Sequence, residues 1–148
     1  MRQPNYRLGW YIPNQVAALT HIHADVTAED FMAVVQAAQD LLQHIGSEFH
    51  ILIDNRVVAM SAPATLAQMK QMAPFMNHPL LQWVVVIKPE QLALDTESLP
   101  IERDGATQLK NVSSLKEALE HLRQATSGVQ WQLADEMFFH RKRNMYDL

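Results

Sequence analysis

The sequence predicts an α/β fold: a single domain with a mixed four- to five-stranded sheet and three to four helices. Three observations carry this. Runs with period-two alternation, or of continuous β-branched residues, take turns with stretches whose apolar residues recur at steps of three and four. A tight turn at Pro13-Asn14-Gln15 joins the first two strand patterns, which makes them antiparallel neighbours, whereas a helix pattern separates the later strands and makes those parallel. The chain's 148 residues are a common size for one domain and bury a core without disulfides or metals.

Tyr6, Leu8, Trp10 and Ile12 alternate with Arg7, Gly9, Tyr11 and Pro13, a strand with one apolar face. Val16 to His23 reads as its partner. Thr27 caps the first helix, and Glu29 and Asp30 suit the positive end of its dipole. Phe31, Val34, Val35, Ala38, Leu41, Leu42 and Ile45 form its apolar stripe, and Gly46 is its expected stop. Phe49 to Ile53 is a short apolar strand ending at Asp54.

Ser61-Ala62-Pro63 reads as the start of a second helix, with serine as the cap and proline in the first turn. Leu66, Met69, Met72, Ala73 and Met76 supply its stripe, and Pro74 ends or kinks it. The run Trp83-Val84-Val85-Val86-Ile87 predicts a central strand buried on both faces. Pro89 to Gly105 reads as loop-rich, with a short helix around Glu90 to Leu94. Ala106 to Val112 is the expected final edge strand. Ser114 with Glu117 is a capping box that opens a third helix through Ala125.

Composition excludes several classes. No cysteine is present, so a disulfide framework, a zinc–thiolate site and a thiol nucleophile are out. A net charge of −4 gives no pull toward nucleic acid or anionic membrane. The polar opening Met1 to Asn5 does not read as a leader, and apolar runs are no longer than Trp83–Ile87. These features predict a cytoplasmic protein without stable membrane insertion and without a nucleic-acid partner.

The element order resembles the STAS-like superfamily, named for sulfate transporters and anti-sigma-factor antagonists, and within it an uncharacterised bacterial branch. Phe49-His50-Ile51-Leu52-Ile53-Asp54 is similar to that family's core strand with its terminal Asp. Asn77-His78-Pro79-Leu80 leads into the next strand, Gln82 to Ile87. Val112-Ser113-Ser114-Leu115-Lys116-Glu117-Ala118 resembles its last strand-to-helix turn. The resemblance spans Tyr6 to Ala125. It implies a STAS-like domain over residues 1–126 and a non-enzymatic regulatory or protein-interaction module. Family members carry an Asp-Ser-Ser-Gly run with a phosphorylated serine. In register from Asp54, the two serines fall on Pro63 and Ala64 and the glycine on Thr65, so the phosphoacceptor is missing, with Ser61 and Thr65 flanking the place.

Asp54, Asn55, Arg56, Ser61 and Thr65 are therefore the expected partner or ligand surface. Asp54-Asn55-Arg56 also reads as turn chemistry, with Arg56 an alternative anion contact. His21 and His23 share a strand face, and with Asp25 they form an edge cluster near the C-terminal ends of the strands. That spacing matches no established metal signature, so no metal, cofactor or catalytic residue is assigned. The alternative to a partner-binding module is a small-ligand domain, for a nucleotide or lipid, using that edge near His23, Asp25, Asp54 and Arg56. Residues 127–148 form an aromatic and basic extension. Trp131, Phe138 and Phe139 predict that it docks on the domain or at a homodimer interface.

Overall fold

Tyr6–Ile12 (β1) and Val16–His21 (β2) form the antiparallel hairpin that the alternation predicts, with Asn14 at φ 60° in the turn. The computed structural model describes residues 5–22, 25–58, 65–89 and 100–139. Thr27 caps α1 (Ala28–Leu41) through a reciprocal box: the Asp30 N–H donates to Thr27 Oγ1 at 3.1 Å, and the Thr27 N–H donates to Asp30 Oδ2 at 2.9 Å. α1 ends at Leu41, a turn before Gly46. Leu42 leaves helical geometry, and the chain turns so that Ile45 drops onto the core.

β3 (Phe49–Asp54) lies parallel to β2, with Thr20 opposite Asp54, and parallel to β4 (Leu81–Ile87) on its other side. Between them runs α2 (Leu66–Met72). Its cap is Thr65, not Ser61. Thr65 and Gln68 form a complete box, with the Gln68 N–H 3.2 Å from Thr65 Oγ1 and the Thr65 N–H 2.8 Å from Gln68 Oε1. Thr65-Leu66-Ala67-Gln68 was an equally good capping signal, four residues past the Ser-Ala-Pro signal. Ser61 to Pro63, and the helix expected around Glu90 to Leu94, lie outside the described residues. Pro74 does end α2, and the chain passes into a 3-10 turn over Pro74–Asn77.

The sheet has six strands rather than four or five, in the order β1-β2-β3-β4-β6-β5. The strand the sequence reading missed is β5 (Glu102–Asp104), antiparallel to β6 (Thr107–Val112) across a turn where Gly105 takes φ 67°. β6 therefore lies inside the sheet, between β4 and β5, and is not the edge expected of it. Glu102-Arg103-Asp104 has no apolar alternation because an edge strand needs none, and charge there discourages pairing with other chains. β5 also positions α2. Glu102 Oε1 accepts from the Leu66 N–H at 3.0 Å, and Lys70 Nζ reaches the Asp104 carbonyl at 2.8 Å.

β2, β3, β4 and β6 are parallel and advance in one direction across the sheet. Right-handed crossovers that never reverse keep their helices on one side, and α1 and α2 do pack on the same face. The other face holds α3 (Leu115–Ala125), whose cap is Ser114. There Glu117 accepts from the Ser113 N–H and hydroxyl, at 2.9 and 2.7 Å, so the expected box is shifted by one residue. A core of buried Leu, Ile, Val and aromatic residues fills each side of the sheet.

Candidate functional site: an apolar cavity with a polar rim

Side chains alternate across a strand, so every second residue of a strand faces α1 and α2. On that face each parallel strand changes character at its C-terminal end. Leu19 is followed by His21, Ile53 by Asn55, Val86 by Lys88 and Leu109 by Asn111. The four polar residues line one cavity of about 250 Å³. Its floor is Ala17, Leu19, Ile51, Ile53 and Val86. Its roof is Val34, Val35 and Ala38 of α1, and Met69 and Met76 close the α2 side. The cavity reaches the surface at Phe31 and Met72, which are 38% and 52% exposed.

Because the parallel strands advance without reversal, the described sheet has no switch-point crevice of the kind that holds ligands in doubly wound folds. The space lies instead between the helical layer and the sheet. Its walls are almost wholly apolar, and among the described lining residues Lys88 alone carries a formal charge. Lys88 is 7% exposed. Its N–H donates to the Val112 carbonyl at 2.9 Å, which pins the backbone to β6, while its side chain has no hydrogen-bond or ion-pair partner among the described residues. Asn111, also buried, pairs in register with Val86, two residues before Lys88.

His21 Nδ1 lies 3.3 Å from the Asn5 carbonyl, an acceptor that favours the proton on that nitrogen. Burial pushes the His21 pKa below its ordinary value, against the Asn5 contact and nearby carboxylates, so the ring is neutral at pH 7.

Asp54 sits on the opposite face from His21. Thr20 Oγ1 donates to its Oδ2 at 3.0 Å, the Arg56 N–H donates to its Oδ1 at 3.1 Å, and the Arg56 guanidinium closes on both oxygens at 2.9 and 2.8 Å. Arg56 is thereby committed to Asp54. Of the remaining residues singled out from the sequence, Thr65 is the α2 cap and Asn55 lines the cavity. Asp25 accepts a hydrogen bond at its backbone carbonyl from Asn5 Nδ2, at 2.9 Å. His23 and Ser61 lie outside the described residues. Among the described residues no three His, Cys, Asp or Glu side chains are grouped to hold a metal, and no helix is long and apolar enough to cross a membrane.

The far face is closed differently. Residues 127–139, after α3, lie against β1: the Asp135 N–H donates to the Tyr11 carbonyl at 2.8 Å, and Arg7 Nη1 donates to the Phe138 carbonyl at 2.7 Å. Phe138 is buried there, and the Arg123 guanidinium stacks 4.5 Å from the Trp131 ring. Beneath this layer His121 meets Trp83 edge-on, with 4.5 Å between ring centroids.

No family model, curated protein or solved structure matches this chain. The site therefore rests on its geometry. Lys88 and Asn111 were not singled out from the sequence. Their signal was present: each continues the inward period of a buried strand by one polar step at its C-terminal end. Read on one strand, that step looks like a strand simply ending. Only the register of β3, β4 and β6 brings the steps to one rim.

Proposed function

We propose that this domain is a non-enzymatic binding module that takes a small, mainly apolar molecule into the cavity between α1, α2 and the sheet. The carrying observation is the cavity itself: about 250 Å³, walled by aliphatic side chains and methionines, with polar groups confined to the C-terminal strand ends. Pockets of this composition bind by apolar burial and orient their ligand with a few polar contacts. The resemblance to STAS-like proteins favours binding over catalysis, and no nucleophile–base pair lines the cavity among the described residues.

The test is native mass spectrometry of the freshly purified chain, joined to displacement of an environment-sensitive fluorophore. A bound mass lost on denaturation, and fluorophore binding abolished by Val35→Trp, support the reading. Fluorophore binding that ignores Val35→Trp sinks it.

A second reading, recognition of a protein partner, is favoured by one observation. Phe31, Met32 and Met72 are exposed, Met32 by 70%, and methionine adapts readily to partner surfaces. Retained partner capture by a variant carrying all three as serine would refute that surface.

A further inference from the structure

The reading of the cavity as an apolar ligand site leaves the charge of Lys88 unexplained, and the present inference rests on that reading. We propose that the ligand is an apolar carboxylic acid of medium chain length or one to two rings, its body under α1 and its carboxylate against Lys88.

Lys88, 7% exposed, has no anion or acceptor beside its side chain among the described residues and lines an otherwise mainly apolar cavity. Removing one partner of a buried ion pair is strongly unfavourable, so a buried lone cation gains most from an anion brought by a ligand. Asp54, at the end of the neighbouring strand β3, does not serve. Asp54 lies on the other face, and its two oxygens are taken by Thr20 and Arg56.

Asn55 and Asn111 bring amide N–H groups to the same rim, and no described lining residue is acidic. Amide donors and an ammonium suit a carboxylate, whose two oxygens accept several hydrogen bonds.

Apolar cavities of roughly 150 Å³ hold one benzene ring, and drug-sized sites begin near ~300 Å³. At about 250 Å³ the present cavity lies between. A nucleotide fits poorly: its ribose hydroxyls would be buried against Leu, Ile and Val without partners. A phosphate monoester brings nearly two negative charges to one lysine, and no arginine or glycine-rich loop stands among the described lining residues to share them.

The deciding experiment is isothermal titration calorimetry of the full chain with decanoate, 1-decanol and decylamine, which share one apolar chain and differ in the head. The expected order is decanoate tightest, 1-decanol at least about tenfold weaker, and decylamine weaker still. Lys88→Met should weaken decanoate by about tenfold or more while leaving 1-decanol within a factor of about two, and Lys88→Arg should retain decanoate. Equal affinity of wild type for acid and alcohol, or decanoate binding indifferent to Lys88→Met, overturns the proposal. That comparison on wild type stands even if the Lys88→Met chain does not fold. If none of the three binds wild type, the cavity reading itself falls. If all three bind equally and Val35→Trp abolishes them, the cavity reading stands and only the acid is wrong.

Discussion

Asp54 and Arg56 close on each other at the end of β3 through two parallel hydrogen bonds, Nε to Oδ1 at 2.9 Å and Nη2 to Oδ2 at 2.8 Å. The pair is asymmetric in exposure: the Asp54 side chain is 6% exposed and that of Arg56 39%. Burial alone would raise the Asp54 pKa. The hydrogen bonds and charge of Arg56, with the Thr20 hydroxyl, outweigh burial and hold the carboxyl below its ordinary value. This arrangement clamps β2 to β3 just outside the cavity floor.

Asp54 should therefore carry acid-sensitive stability. A carboxyl whose folded pKa is depressed contributes in full above its unfolded value, ordinarily 3.8, and loses that contribution as pH falls through the folded value. Asp54→Asn is expected to lose about 2 kcal/mol at pH 7, and the gap to wild type should shrink below pH ~4. Arg56→Ala should lose less, about 1 kcal/mol, because solvent screens its exposed half of the pair. Urea unfolding at pH 7 and pH 3 checks both. A gap that is unchanged at pH 3 would contradict the assignment.

His50 should act in the next pH window up. It is 7% exposed on β3, its Nδ1 has no hydrogen-bond partner, and burial pushes its pKa down to about 4. Between pH 6.5 and 4 the unfolded chain binds a proton that the folded chain refuses, so stability falls as pH drops across that window, by an amount on the order of 3 kcal/mol. His50→Leu should flatten much of this slope and, by removing an unpartnered buried nitrogen, leave stability at pH 7 unchanged or higher by about 1 kcal/mol. His121 and His21, also shifted down by burial, supply the residual slope. Guanidinium midpoints from pH 4 to 8 test this; parallel curves for variant and wild type would refute it.

How far such pairs were legible in the sequence depends on register. Period-two alternation placed β1 and the tight turn placed β2 beside it, apolar runs placed β3 and β4, and three-four spacing placed α1 and α3, because those patterns are local. Alternation also shows that His21 and Thr20 face opposite ways. It does not say which of them looks toward Asp54. That is settled by the β2–β3 pairing, where Thr20 stands opposite Asp54 and His21 turns to the helical face. His21 and Asp54, close along the strands, therefore stand on different faces of the sheet. β5 escaped because its pairing comes from the Asp104-Gly105 turn and not from apolar residues. Thr65 and Ser61 offered two caps for one helix, and the contact of Leu66 with Glu102, distant in sequence, accompanies the later one.

The segment after α3 should contribute to stability, not merely trail from it. Phe138 is 4% exposed and packs over β1, where a Cβ added at Gly9 would stand 3.5 Å from its ring. Phe138→Ala is expected to lose about 3 kcal/mol, the usual range for deleting a buried aromatic ring. Gly9→Ala meets only ordinary van der Waals contact, and its backbone is not in the positive-φ region. It should be neutral or stabilising by about 0.5 kcal/mol. Thermal unfolding of both variants decides; a Phe138→Ala chain as stable as wild type would mean that the ring does not pack against the strand.

Lys88 sets stability against binding. If the cation is held for a ligand, the ligand-free fold bears the cost of burying it, and a side chain of similar length without charge should relieve that cost. Lys88→Met is expected to raise the stability of ligand-free protein by about 1 kcal/mol, a typical gain when a site residue is released from its function. Saturating decanoate should then raise the wild-type midpoint more than that of Lys88→Met, since a ligand stabilises each chain in proportion to the logarithm of its affinity. The two denaturation curves should therefore approach or cross as ligand is added. If Lys88→Met is less stable than wild type with no ligand present, Lys88 is a structural residue with a contribution of its own, and the cavity's charge is there for the fold.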